Sequence, residues 1–360
     1  MAEAADPLEP RKAEILRAIV EQYVGSATPV GSQTIVSTSG LGVSAATVRN
    51  DMVALERDGY ITHPHTSSGR IPTDQGYRFF VDHFAGATKL SVPQRREVAD
   101  FFASTSRVMD DLLHETSQLL ARMTDHAAVV VGPQAEAATV RSVQIVSLQP
   151  GVLLVVAVLS NGVVEKETVR FDGDLDDAMV GEAGARVQGA FAGRTLADPP
   201  APDALLSGLS RAGEMRPSAR DLTAVPDRIA QLAQAALEAL TRRAGSTTEP
   251  VFVGGTSHLA AERGSFTSPV QIARLLELLE QQVVMVAVLR ELLGPGLTIR
   301  IGSENEHADL AECSLVVAPY LVDGQPAGTI GVLGPTRMDY RQAQAAVSAI
   351  STQLSRTLPS

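Results

Sequence analysis

The chain has 360 residues, 44% of them hydrophobic and 20% charged, with no tryptophan and a single cysteine. That composition is that of an ordinary globular chain rather than a disordered one, and one cysteine excludes an intramolecular disulfide framework. The formal net charge of −11 argues against nucleic-acid binding by bulk positive charge and leaves only binding through a few placed cations.

At roughly 100–200 residues per domain, the length predicts two or three domains. Residues 11–24 place Ile15, Leu16, Ile19, Val20 and Tyr23 on one face at helical spacing. Thr28-Pro29 breaks the chain, and Ser32 is placed to cap a short second helix over 33–38. Ser39-Gly40-Leu41-Gly42 is a turn. Ser44 then caps a third helix that runs to Arg57 and is closed by Gly59. Val48, Met52 and Leu55 form its narrow apolar stripe. Extended pieces at 60–64 and 70–72 flank a polar tip, and a further helix starts at Thr73-Asp74. Helix, short helix, turn, helix, then a small hairpin is the order of a winged helix-turn-helix. This domain is expected over residues 1–88.

Residues 94–125 read as one or two helices. From 127 the hydrophobic period changes to 2 or to continuous apolar runs, which predicts strands at 127–131, 140–148, 152–158 and 163–171. Gln149-Pro150-Gly151 and Ser160-Asn161-Gly162 are hairpin turns. Strands return at 251–253, 297–301, 313–319 and 328–334, with a turn at Asp323-Gly324. Between the two groups, residues 173–247 read as helices inserted into a sheet domain. The expected fold is therefore α+β and multidomain, with an α/β sheet domain over 89–172 and 248–360. A long helix at 271–293, apolar nearly all round in its second half, should be buried on the sheet or at a subunit contact.

The third helix carries the most specific chemistry. With its stripe turned inward, Ala46, Arg49, Asn50 and Val53 face outward, while Ser44, Ala45 and Thr47 lie at or near the N-terminus. A major-groove reader needs small residues for close approach. It also needs side chains such as Arg and Asn, whose paired groups match guanine O6/N7 and adenine N6/N7. The helix N-terminus and its hydroxyls suit phosphate, and Ser32 is counted with this set. The tip from His63 to Arg70 is polar and donor-rich. In it His65, Ser67, Ser68 and Arg70 suit a phosphate or the minor groove. The alternative reading is a solvated helix face on an ordinary small domain. Residues 1–90 hold 8 basic and 10 acidic side chains, so specificity must rest on these few contacts. A zinc site at His63 and His65 lacks further ligands, and no metal is expected.

Several strings carry a resemblance: Thr28-Pro29-Val30-Gly31-Ser32, the run Val43 to Met52, Leu55-Glu56, Gly59-Tyr60, the run Pro64 to Thr73, and Gly76-Tyr77-Arg78. Together they cover nearly all of residues 28–78, and on them the chain resembles the heat-inducible transcription repressor HrcA family. The segment order and the strings Gly328 to Pro335 and Met338-Asp339-Tyr340 are also similar to that family. Gln33 departs from it, since many members carry a basic residue there. The resemblance implies a GAF-like domain interrupted by an inserted dimerisation domain. It implies a homodimer bound to an inverted-repeat operator on double-stranded DNA, repressing chaperonin operons and in some bacteria a DnaK-type chaperone operon. It also implies a chaperonin partner that keeps the repressor active until heat shock occupies it.

Elsewhere the chemistry is sparse. Val253-Gly254-Gly255-Thr256-Ser257 has the look of an anion loop but lacks the lysine and spacing of a P-loop. Glu304, Glu306, His307 and Asp309 suggest either a metal cluster or a polar loop between strands. Cys313, in an apolar run, reads as a buried core residue. No Ser-His-Asp or Cys-His set pairs from the sequence, so neither catalysis nor a cofactor is expected. The alternative function is a winged-helix regulator gated by a small molecule in the GAF-like domain. An enzyme with an appended DNA-binding domain is the remaining class. No charged-then-apolar leader opens the chain. Its longest apolar run, Val152–Leu159, falls far short of the ~20 residues of a spanning helix. A cytoplasmic protein with no membrane partner is expected.

Overall fold

The computed structural model describes residues 8–64, 69–86, 89–105, 108–133, 138–160, 163–172, 175–191, 193–200, 225–244, 249–261, 269–292, 294, 296–322 and 324–358. They form a mixed α/β chain in two compact units. One gathers Met1–Val131, Val251–Tyr320 and Thr329–Leu354. The other gathers Gly132–Pro250, Leu321–Gly328 and Ser355–Ser360.

The first unit opens with α1 (Pro10–Ser26), α2 (Ser32–Ser39) and α3 (Ala45–Arg57). A two-stranded antiparallel sheet of β1 (Ile61–Thr62) and β2 (Ile71–Pro72) follows, then α4 (Asp74–Phe84). Ile15, Leu16, Ile19, Ile35, Val48 and Leu55 are all fully buried, so the apolar stripes of the first three helices close on one another. Helix α2 starts one residue earlier than expected. Its N-cap is Gly31, with no side-chain cap, and Ser32 is its first residue and is buried. The reason lies upstream: Val30 is tied to Arg70 by two backbone hydrogen bonds of 2.8 and 2.9 Å, which fixes where the chain can turn into the helix. Thr73 caps α4 by accepting from the Gly76 N–H at 3.2 Å. Gly76 is obligatory, because a Cβ there would lie 2.1 Å from the Tyr60 carbonyl oxygen.

Helices α5 (Val92–Ser104) and α6 (Met109–Thr124) lead into a five-stranded sheet. Its strands are β3 (Ala127–Val131), β7 (Val251–Gly254), β8 (Thr298–Ile301), β9 (Cys313–Val322) and β10 (Gln325–Pro335), in the order β7-β3-β10-β9-β8. β3 is buried on both faces, as its unbroken apolar run requires. One face packs on Leu275, Leu278 and Leu279 of α10 (Pro269–Glu280) and on Met285 and Leu289 of α11 (Gln282–Glu291). The expected single long helix is broken at Gln281, whose φ/ψ of −83/81 is not helical. The break brings both apolar stripes onto one core. A C-terminal helix, α12 (Tyr340–Thr357), is tied to β9 by Ser351, whose hydroxyl donates to the Pro319 carbonyl at 2.6 Å.

The second unit corrects the expected sheet domain. Strands β4 (Val140–Gln149), β5 (Val152–Leu159) and β6 (Val164–Arg170) do not join the five-stranded sheet. They form an antiparallel meander of their own, β4-β5-β6. Its inner face packs Val143, Leu153, Val155, Ala157 and Leu159 against Val187 and Phe191 of α7 (Asp177–Phe191) and Leu232, Ala236 and Leu240 of α8 (Val225–Ala244). The unit built around Gly132–Pro250 thus takes in three strands that the expected insertion, 173–247, left in the sheet domain. Period and turn chemistry distinguish strands from helices, but they do not say which strands hydrogen-bond to which. The insertion leaves and re-enters at neighbouring positions: Val131 pairs with Val251, and the Gly132 N–H donates to the Pro250 carbonyl at 2.7 Å.

Candidate nucleic-acid interface

Helix α3 begins at Ser44, whose backbone is extended and whose Oγ accepts from the Thr47 N–H at 3.2 Å. The Thr47 hydroxyl lies 3.0 Å from the same oxygen. This satisfies one of the orphan donors at the helix start. Val48, Met52 and Leu55 are buried, and Ala46, Arg49, Asn50 and Val53 are exposed. Ala45 and Thr47 are half-buried. Val53, a large apolar side chain 55% exposed, sits on the same face as Arg49 and Asn50. The side chains of Arg49 and Asn50 make no hydrogen bond or ion pair among the described residues. The outward face is thus a small residue, a free fork of donors, an amide and an apolar contact, one helical turn apart.

The buried side of α3 carries a group the hydrophobic stripe did not predict. Asp51 is only 6% exposed and is held by a bidentate pair with Arg11 of α1. Arg11 Nε donates to Oδ2 at 2.7 Å and Nη2 to Oδ1 at 3.1 Å. A carboxylate three residues from Val48, on the buried side, demands a cation. That was the available signal in the sequence. The pair fixes the roll of α3 about its own axis relative to α1, and with it which residues face outward.

Arg70 does not stand free as a phosphate ligand. Its Nη2 lies 2.8 Å and its Nε 3.0 Å from Oε2 of Glu56, on the last turn of α3. His63 contacts the other oxygen of Glu56. Burial opposes ionisation of Glu56, but the hydrogen bonds from His63 and Arg70 outweigh it and hold the carboxyl below its ordinary value. This triangle ties the hairpin to α3. His65, Ser67 and Ser68 lie outside the described residues, and Ser32 is buried at the start of α2.

The remaining candidate sites resolve into structure. Gly254 and Gly255 let β7 approach α6 closely: a Cβ at Gly254 would lie 2.6 Å from the Ser117 backbone, and one at Gly255 2.4 Å from Ala121 Cβ. Burial pushes the Cys313 thiol up to about 12, which leaves it protonated and inert. Glu304 is engaged by Arg78, and Asn305 Nδ2 donates to the Gly302, Leu310 and Cys313 carbonyls at 2.9–3.1 Å. Among the described residues no group of three or more His, Cys, Asp or Glu is placed to hold a metal ion. Among them, too, no helix is long and apolar enough to cross a membrane.

Comparison with known proteins gives the geometry its context. A family model for the HrcA protein C-terminal domain matches residues 110–343. The heat-inducible transcription repressor HrcA of Pseudarthrobacter chlorophenolicus is 41% identical over 353 residues, 97% of this chain and 99% of that protein. That of Beutenbergia cavernae is 39% identical, covering 97% of this chain and 98% of the relative. That of Nocardia farcinica is 37% identical and covers 99% of both. A crystal structure of a hypothetical protein superposes with a TM-score of 0.67 at 24% identity over 98% of both chains, so the fold has an observed counterpart. The class these matches define is a transcription repressor, not an enzyme. More particularly, the chain belongs to the heat-inducible transcription repressor HrcA family.

Proposed function

We propose that residues 10–84 are a winged helix-turn-helix head that binds an inverted-repeat operator, with α3 in the major groove and the β1–β2 hairpin as the wing. The observation that carries this reading is the outward face of α3, where Arg49 and Asn50 are exposed and unengaged beside Ala46 and Val53. Donor forks that fold stability does not use are available for base edges. Ser44, Ala45 and Thr47 bring the helix N-terminus to a phosphate. His65, Ser67 and Ser68 extend the contact along the wing, and Arg70 orders the wing through Glu56.

The repressor acts as a homodimer through the 132–250 insertion. The support is the outer face of its sheet. There β5 presents Val152, Leu154, Val156 and Val158, flanked by the exposed Val146, Leu148 and Val164. The same face carries Gln144, Lys166, Thr168 and Arg170 beside that stripe; an apolar stripe rimmed by polar residues marks a partner surface, and twofold pairing would mirror a palindromic site. The five-stranded unit is read as the GAF-like domain. A cavity there, lined by Val288, Leu292, Arg300, Asn305 and Leu310, holds about 50 Å³. Small-molecule pockets need ~300 Å³ or more, so this cavity gives the ligand-gated alternative no support. Repression of chaperone operons in the cytoplasm, with an active fraction set by the chaperonin, rests on family membership.

Selection of bound DNA from a random-sequence pool by the full-length protein tests the reading. It should return an inverted repeat whose binding weakens steeply with salt. Enrichment of no sequence would refute it. Adding chaperonin and an unfolded competitor to the same binding reaction should raise and then lower the active fraction.

A further inference from the structure

The head is joined to the rest of its unit by a set of directed polar contacts that repression by itself does not account for. Arg78 of α4 places Nε 2.7 Å from Glu304 Oε1, sets Nη2 against Oε2 of the same carboxylate, and donates from Nη2 to the Ile299 carbonyl at 2.8 Å. Glu304 Oε2 also accepts from the Ile301 N–H at 2.9 Å. One turn earlier, Asp74 Oδ2 accepts from both the N–H and the hydroxyl of Ser303, at 2.9 and 2.8 Å. Between them Gly302 has a φ of +53, and a Cβ there would lie 2.2 Å from the Asp74 carboxylate. The turn Gly302–Glu304 is thus shaped to receive the start of α4. Arg341 of α12 also pairs with Glu21 of α1 at 3.0 Å and donates to the Phe84 carbonyl at 3.1 Å. Arg337 donates to the Val24 carbonyl at 3.0 Å.

These contacts differ in kind from the apolar packing of Tyr77 on Tyr340, whose ring centroids are 5.7 Å apart. Apolar burial is non-directional and holds two bodies together without fixing their angle. A bidentate Arg–carboxylate pair fixes an angle. Such a constraint matters to a dimeric reader of inverted repeats. One base pair added between half-sites rotates them by roughly 34° about the DNA axis, and only heads held at a set bearing discriminate against that rotation.

We infer that Arg78 and Asp74, with their acceptor turn at 302–304, are positioning residues that fix the bearing of α3 and so set the half-site spacing the repressor accepts. The spacing part rests on the proposed reading of α3; the fixed bearing does not. Two measurements on the full-length protein separate them. The first is the distance distribution between spin labels on cysteines introduced at Arg57 and Glu277, both exposed, with Cys313 buried and unlabelled. It should be narrow in the parent and at least twice as broad after Glu304→Ala, with no DNA present. The second is affinity for inverted repeats whose central spacer is varied in single base pairs. The parent should prefer its best spacer at least tenfold over one changed by two base pairs. Glu304→Ala should reduce that ratio below threefold while binding an isolated half-site within twofold of the parent. An unchanged distance distribution, or an unchanged spacer ratio in a DNA-binding parent, overturns the proposal. A broadened distribution in a protein that binds no DNA sequence leaves the fixed bearing supported and overturns the reading of α3 along with the spacing role. Should Glu304→Ala not fold, Arg78→Lys keeps the charge and stem but loses the fork, and reads the same two quantities.

Discussion

Arg49→Ala should separate affinity from stability. The side chain is exposed and makes no hydrogen bond or ion pair among the described residues. Removing it therefore falls among surface substitutions, which move stability by within about 0.5 kcal/mol. Alanine also raises helix propensity slightly at a mid-helix site. Operator binding should respond very differently. One bidentate base contact is worth about 1–3 kcal/mol of discrimination, and both heads of a dimer carry the change. The loss is then at least about 2 kcal/mol, or roughly 30-fold in affinity. Fluorescence anisotropy on the selected operator, beside a urea melt of the same preparation, measures both. The loss should shrink on an operator mutated at the base pair Arg49 reads, because a base contact cannot be lost twice. An affinity within twofold of the parent refutes the assigned readout. A large loss that is equal on all sequences, with a flatter salt dependence, makes Arg49 a phosphate ligand instead.

Other predictions concern what holds the head and the insertion. Gly76→Ala drives a Cβ to 2.1 Å from the Tyr60 carbonyl, so α4 must shift; the head should lose about 2 kcal/mol or more in a urea melt. Tyr77→Phe should hold or raise the melting midpoint. The buried hydroxyl finds no hydrogen-bond partner among the described residues, and burying one unpaired costs about 1–3 kcal/mol. Glu56 is held below its ordinary 4.5 by His63 and Arg70 despite burial. Its stabilising contribution is therefore complete above that pH and is lost as pH falls through the depressed value; Glu56→Gln should remove this acid dependence from the unfolding midpoint of the head. Leu154→Glu, on the outer face of β5, should shift sedimentation from dimer to monomer while leaving the circular dichroism of the insertion unchanged.

What the sequence disclosed follows from the range of its signals. The outward set Ala46, Arg49, Asn50 and Val53 was legible because a helix has one period and one buried stripe, and Ser44 marks its start. The strands were legible too, since period and turn residues are local. Pairing is not local. β5 is apolar on both faces, and the run Val152–Leu159 fits equally the centre of a large sheet or the middle of a three-stranded one. Only the pairing of β5 with β4 and β6 decides between them. The polar contacts of the head were hidden for the same reason, with Arg78 and Glu304 lying 226 residues apart. Glu304 reads as part of a metal cluster or a polar loop, and Arg70 as a residue suited to a phosphate or the minor groove, because a charge shows its type in sequence but not its partner. On the proposed reading of the head the distinction is functional. Arg11, Arg70 and Arg78 are each engaged by a carboxylate, while Arg49 is not. In a chain of net charge −11, a cation left unengaged on the outward face of α3 is, on the proposed reading, the one that DNA can use.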